Sequence, residues 1–302
     1  MGKTMVITVP GATFTGPKFR VDPRLNNGSL ILVDPAHASE PWAAGVSLST
    51  VPNIAKREAT ALLGSPTGAD TLAVTNTISA TTGARERTAK GGLHVAVKQS
   101  GTVASEAWKA AISTQVAAYL NANPTHGLYA SVWGLATRSR VIGSGSANIP
   151  LAGLRRNHSS IFTPWIDFAY ASASGNVVPS PGTSDPVYIN RAVGTLTSGV
   201  GAFRSAVGIT GQPTSFAGQT LATSVIELGN TLSDSTNVAP SAVFYGFHLC
   251  DLTVAAAQWG VTVAQAYATL DAIDSAQYAA AFASGGRYFG DTYTAPATLA
   301  GA

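Results

Sequence analysis

Residues 244–254 read FYGFHLCDLTV and hold the chain's single cysteine, Cys250, with His248 two places before it and Asp251 directly after it. A cysteine, a histidine and an acid are the parts of a nucleophile, its base and a group that orients the base. The same residue types also occur in ordinary strands, and alternation separates the two readings. In an extended SAVFYGFHLCDLTV, Phe244, Gly246, His248, Cys250 and Leu252 fall on one face, and Val243, Tyr245, Phe247, Leu249 and Asp251 on the other. His248 and Cys250 are then neighbours with Cβ atoms roughly 6–7 Å apart, from the strand rise. A thiolate–imidazole pair needs about 3 Å between sulfur and nitrogen, and Asp251 points away. Free cysteine also packs as a small hydrophobe. The expectation is a core strand and no catalytic centre.

Other constellations are weaker. GSGSA (143–147) lacks the order of a nucleophile elbow. GVGAFR (199–204) has two of the three glycines of a dinucleotide loop and reads as a turn. MGKTM has a Gly-Lys-Thr triplet but no loop glycines before it. His37, His94, His126, His158 and His248 form no pair at zinc-binding spacing. Asp271 and Asp274 could share a cation on a helix, though a solvated face is the simpler reading. Asn230, Asp234 and Asn237 offer oxygen ligands for calcium in LGNTLSDSTN, where an ordinary turn is expected. Asp167, Glu227 and Asp251 are the acids inside expected strands, and a polysaccharide hydrolase would need two carboxylates in one cleft. Trp133, Trp165, Tyr170 and Tyr188 read as core or subunit contacts, and Tyr288, Phe289 and Tyr293 as surface or interface residues. No catalytic, cofactor or metal residues are assigned, and ligand-binding residues stay open.

The chain has 302 residues, enough for a sizeable core. Charged residues make up 11%, against about 25% in ordinary globular chains. Net charge is +3 with no basic run, which argues against nucleic-acid binding. One cysteine excludes an internal disulfide. The start, MGKTMVITVPG, has no apolar run long enough for a secretion signal. No stretch approaches the roughly 18 apolar residues of a membrane span, so synthesis in a cytoplasm and no membrane insertion are expected.

Strands are expected at 4–10, 29–34, 70–78, 93–99 and 128–138, and in IFTPWIDFAYA, PVYINRAVGTLTS, GAFRSAVGIT and TSVIELGNTL. In LYASVWGLATR, Tyr129, Ser131, Trp133, Leu135 and Thr137 alternate with Leu128, Ala130, Val132, Gly134 and Ala136. Three helices are expected, over 52–64, 103–124 and 262–286. The second carries Trp108, Ile112, Val116 and Leu120 every fourth residue, with Glu106 in its first turn. The third opens on the capping-box pair Thr262 and Gln265. Short strands with frequent turn signals predict a mainly β chain, a β-sandwich with about three peripheral helices. Residues 1–50 read as an N-terminal arm or first strands, and 51–302 as the sandwich domain with its C-terminal helix.

The C-terminal third, FHLCDLTV followed by TVAQAYATLDAIDSAQYAAAFASGGRYFGDTYTAP, resembles the end of minor tail proteins from phages of actinobacteria. VPNIAKREATALLG, ERTAKGGLHV and ANPTHGLYASVWGLATR fit the same group in order, so the resemblance covers most of 51–296. It implies a jelly-roll or concanavalin-like sandwich in the virion. The family pattern often has a Glu where Cys250 stands, so the cysteine belongs to no shared chemistry. The resemblance implies a structural virion protein of a tailed phage: a minor tail or tail-tip component, not an enzyme and without cofactors. A homotrimer touching other virion proteins is expected by analogy with tail appendages, and host-surface glycan is a further partner the reading allows. The alternatives are a capsid decoration or head-fibre protein, and a cell-wall polysaccharide-active enzyme.

Overall fold

The computed structural model describes residues 22–100, 105–141, 148–158, 161–182, 184–212, 220–230 and 238–298. The expected strand at 4–10, the MGKTM and GSGSA motifs, and Asp234 and Asn237 lie outside the described residues. In chain order the elements are β1 (Ser29–Val33), β2 (Thr50–Pro52), α1 (Lys56–Leu63), β3 (Thr71–Asn76), β4 (Gly83–Arg87), β5 (Leu93–Val97), β6 (Ala107–Ala111) and α2 (Thr114–Ala122). There follow β7 (Leu128–Arg138), β8 (Ile149–His158), β9 (Ile161–Tyr170), β10 (Val177–Ser180), β11 (Tyr188–Ala192), β12 (Gly201–Ile209), β13 (Thr220–Leu221), β14 (Ser224–Gly229), β15 (Ser241–Asp251), α3 (Leu252–Trp259) and α4 (Val263–Phe282).

The chain is mainly β and folds as a β-sandwich of two antiparallel sheets. The first sheet has seven strands in the order β11-β12-β7-β15-β5-β4, with β1 also on β15. The second has eight, β10-β9-β8-β14-β6-β3-β2, with β13 beside β8. Along one edge of β15, β5 pairs with Ala242–Phe244 and β1 with the stretch from Phe247 to Cys250. From Asp22 onward the N-terminal segment is thus part of the fold, with β1 wholly buried.

Strand alternation explains the two faces of β7. Leu128, Ala130, Val132 and Ala136 enter the core between the sheets, while Tyr129 and Trp133 point outward. The inter-sheet core is large and aromatic, with Trp108, Trp165, Phe168, Phe244 and Phe247 all at most 1% exposed. Each such side chain contributes on the order of 1.5–3 kcal/mol through burial. The outward face of the first sheet is also buried in part because α3 and α4 cover it, packing Tyr129, Cys250, Leu252, Tyr267 and Leu270 together.

Among the described residues four α-helices form rather than three. Leu252–Trp259, whose first residues alternate like the end of a strand, is helical because Asp251 caps it by accepting from the Val254 amide. The helix expected over 103–124 is a strand followed by a helix: β6 pairs with β3 and β14, and Ser113 caps α2. Trp108, Ile112, Val116 and Leu120 are all buried nonetheless. A spacing of four returns to the same face of a strand as well as of a helix, so the stripe could not distinguish them. Glu106 is not in a first helical turn; it accepts from the Thr82 hydroxyl at 2.5 Å. The third expected helix is α4, with both halves of the Thr262–Gln265 capping box formed.

Helix α4 lies directly on backbone at Gly208 of β12, where an added Cβ would stand 2.1 Å from Tyr267 Cδ2. Replacing Gly208 with valine should therefore lift α4 from the sheet and lower unfolding free energy by about 2–3 kcal/mol in denaturant titration, in the range of core overpacking.

Candidate functional site

The opening stretch begins on the central strand β15, which is buried throughout, and its residues 252–254 open α3. An irregularity between Phe244 and Gly246 inserts one residue against β7 and shifts the alternation. Phe244, Phe247 and Leu249 therefore face the inter-sheet core, while Val243, Tyr245 and Cys250 face outward beneath the helices. This corrects the shared face drawn for Phe244, His248 and Cys250. His248 and Cys250 are covered by the helical layer and do not line the space between the sheets.

Neither residue is set up for nucleophilic chemistry. Cys250 donates to Asn26 Oδ1 at 3.3 Å, and burial pushes its thiol up, away from the thiolate. His248 Nε2 lies 3.5 Å from Ser29 Oγ, and burial pushes the imidazole down to about 4. Asp251 finds a different histidine. His126, in the loop after α2, places Nδ1 2.6 Å from Asp251 Oδ2, and the Tyr119 hydroxyl donates to the same oxygen at 2.7 Å. Those partners precede Asp251 by 125 and 132 positions, and no local spacing announces them.

Of the three strand acids, Asp167 and Glu227 converge on the outward side of the second sheet, and Asp251 stays apart. Arg155 of β8 joins the pair: its Nε donates to Asp167 Oδ1 at 2.9 Å and its Nη1 to Glu227 Oε2 at 2.7 Å. Lys109 Nζ stands 3.9 Å from the other Glu227 oxygen. Burial raises the Asp167 carboxyl above its ordinary value, Arg155 opposes this, and Glu227 adds to it. Gly153 makes the approach possible: at φ +143° it sits opposite Asp167, and a Cβ there would stand 2.2 Å from the Ile166 carbonyl oxygen. Glu227 also borders a small cavity of about 10 Å³ with Val95, Leu151, Tyr170 and Leu228. That is room for about one water and far too little for a small-molecule site.

The largest ionic constellation was invisible to sequence patterning and lies beneath α4. Arg24, 1% exposed, donates to both oxygens of Asp22, at 3.0 and 2.8 Å. It stands 3.6 Å from Asp34 and 3.9 Å from Asp274, and lies over the Trp133 ring at 4.4 Å. Arg204 of β12 donates to Asp274 Oδ2 at 2.6 Å, pairs with Asp271 and reaches the Tyr129 hydroxyl at 2.9 Å. Arg287 pairs with Asp34, which also accepts from Tyr288 at 2.5 Å. Burial alone would raise Asp22 and Asp274. Hydrogen bonds from His37 and Arg24 hold Asp22 well below the usual carboxylate range, and Arg204 with Arg24 hold Asp274 down. The solvated helix face read for Asp271 and Asp274 is thus corrected: Asp274 is fully buried and Asp271 is half-buried against Arg204. The C-terminal aromatics divide, with Tyr288 buried at 2% and Phe289 and Tyr293 exposed.

Among the described residues no group of three His, Cys, Asp or Glu side chains is placed to hold a metal ion, and no helix is long and apolar enough to cross a membrane.

No protein-family model matches the chain. No curated protein matches it either. Among solved structures it is similar to a Trypanosoma rangeli sialidase in complex with a difluorinated nononic acid, at 10% identity and TM-score 0.43, over 88% of this chain and 36% of that one. It is also similar to the binding domain of Paraclostridial mosquitocidal protein 1, at 6% identity and TM-score 0.36, over 82% of this chain and 52% of that one. The chain thus spans about a third of the first and about half of the second, and at these scores neither likeness bears on activity.

His248 gives a pH signature. Its folded value, about 4, lies below the ordinary 6.5. As pH falls from 6.5 towards 4 the unfolded chain takes up a proton that the folded chain refuses, so stability declines across that window. The loss approaches about 3 kcal/mol from this residue at its limit. His94, also lowered by burial, acts in the same direction. A His248→Gln variant should show a shallower decline between pH 6.5 and 4 than the parent in denaturant titrations. Equal slopes would show that His248 is not held neutral.

Proposed function

We propose that this chain is a structural component of a tailed-phage virion, of the minor tail or tail-tip kind. In this reading it acts as a homotrimer joined to other virion proteins, with host-surface glycan as an external contact. The resemblance in the C-terminal third motivates the assignment. The observation that carries the structural part is the solvent face of α4. Ala264, Ala268, Ala272, Ala276 and Ala280 are all exposed at four-residue intervals, and the helix's two charged residues, Asp271 and Asp274, turn inward to Arg204. A 20-residue helix with no charge towards solvent departs from the usual polar outer face of a surface helix. It suits a part that buries surface in a symmetric assembly. The candidate chemical groups support a non-catalytic role as well, since Cys250, His248 and Asp251 are committed to internal partners.

One observation favours a second reading, a cell-wall polysaccharide hydrolase: the convergence of Asp167 and Glu227. Against it, Arg155 occupies the position between the two carboxylates where a substrate oxygen would have to lie.

Antibody labelling of intact particles, with light scattering of the purified chain, tests the first reading. Label confined to the tail and a stable oligomer are expected. Label on the head would move the assignment to capsid decoration, and a strict monomer at high concentration would remove the assembled-part argument. If the chain cleaves cell-wall polymer and Asp167→Asn or Glu227→Gln abolishes the cleavage, the hydrolase reading displaces the structural one.

A further inference from the structure

We propose that the seam between α4 and the first sheet holds an ordered internal water, bound by His248 Nδ1, Asp274 Oδ1 and the Ser131 hydroxyl. The three side chains are at most 1% exposed. Asp274 Oδ1 and His248 Nδ1 have no hydrogen-bond partner within the chain, and the Ser131 hydroxyl, which faces that of Tyr129, makes no well-formed bond. They come from three elements, β15, α4 and β7, that meet on the outward face of the first sheet. His248 and Ser131 stand directly opposite each other across the β15–β7 ladder. The His248 ring meets the edge of Tyr129, the outward neighbour of Ser131 on β7, at 5.8 Å. Arg204 ties that neighbourhood to Asp274, reaching the Tyr129 hydroxyl at 2.9 Å and Asp274 Oδ2 at 2.6 Å. Asp274 and Arg24 are both close enough to His248 to act on its charge.

Hydrogen-bond counting names the ligand. Asp274 Oδ1 needs a donor, and Arg24 Nη1 stands 3.9 Å from it. That is beyond direct hydrogen-bond reach and is a separation that a water spans. A neutral His248 with its proton on Nε2 presents a lone pair at Nδ1, and the Ser131 hydroxyl has a proton to give. One water donating to Asp274 Oδ1 and His248 Nδ1, and accepting from Ser131 Oγ and Arg24, uses all four of its hydrogen-bonding positions. Buried waters ordinarily hold two to four such partners. Unmet polar atoms in a desolvated seam would otherwise oppose the docking of α4. A monovalent cation is the competing ligand, because Asp22, Asp34, Asp271 and Asp274 outnumber Arg24, Arg204 and Arg287 in this network. The guanidinium of Arg24 beside the site disfavours it.

A crystal structure of the full chain at a resolution that shows ordered solvent, with a second crystal soaked in a rubidium salt, tests this. The expected result is a solvent peak within hydrogen-bond distance of His248 Nδ1 and Asp274 Oδ1, without anomalous signal from rubidium. Direct contact between the protein groups, an empty seam, or a rubidium peak at the site would each overturn the proposal. Thermal unfolding gives a second reading. Ser131→Ala should lower Tm by about 2–4 °C, the effect of removing one partner from a held water. An unchanged or raised Tm would show that the hydroxyl had no partner to lose.

Discussion

The outer layer of this sandwich depends on one desolvated ionic contact set, the guanidinium of Arg24 among Asp22, Asp34 and Asp274. It joins the N-terminal segment, the turn after β1 and the middle of α4, three regions that no strand ladder connects. Its importance lies in specification more than in net stabilisation. A buried ion network gains little over well-packed apolar groups, but removing one partner strands a charge. Helix α4 needs such specification. Alanine fills positions on both its buried and its exposed sides, so apolar burial alone discriminates poorly between rotations about its axis. Asp271 and Asp274, reaching Arg204 and Arg24, select the side that meets the sheet.

The arrangement places charge economically. On the outer side of the first sheet four aspartates meet three arginines, and on the second sheet Arg155 serves Asp167 and Glu227 together. A large part of a small charge complement is thereby spent inside the molecule. What faces solvent on α4 is methyl groups and uncharged polar side chains.

Much of the architecture was legible in the sequence. The alternation in LYASVWGLATR marks both ends and both faces of β7, and the Thr262–Gln265 pair marks the start of α4. The errors share one physical origin, non-local pairing. Residues 107–111 are a strand because β3 and β14 flank them, although their spacing equally suits a helix. The inserted residue near Gly246 depends on register against β7, which a single strand cannot display. The ionic clusters were hidden for the same reason. Arg24, Arg155 and Arg204 belong to no motif; Asp22 and Asp34 are near Arg24 in the chain, but the partners of Arg155 and Arg204 lie 12 to 72 positions away, and Arg24 and Asp274 stand at opposite ends of the chain. The burial of Cys250 did follow from alternation, though helices rather than the opposing sheet provide its cover.

The pairing of β1 with β15 carries a consequence for how the molecule is made. Ser29 and His248 meet across 219 positions of chain, so the first strand leaves the ribosome long before its partner exists. Until β15 emerges, β1 has no ladder and β7 lacks its central neighbour, and Arg24 gains Asp274 only later still. Closure of the first sheet is therefore a late, slow event governed by long-range loop closure. The nascent chain must keep an apolar edge unpaired for most of its synthesis, the interval in which such chains are most prone to aggregate.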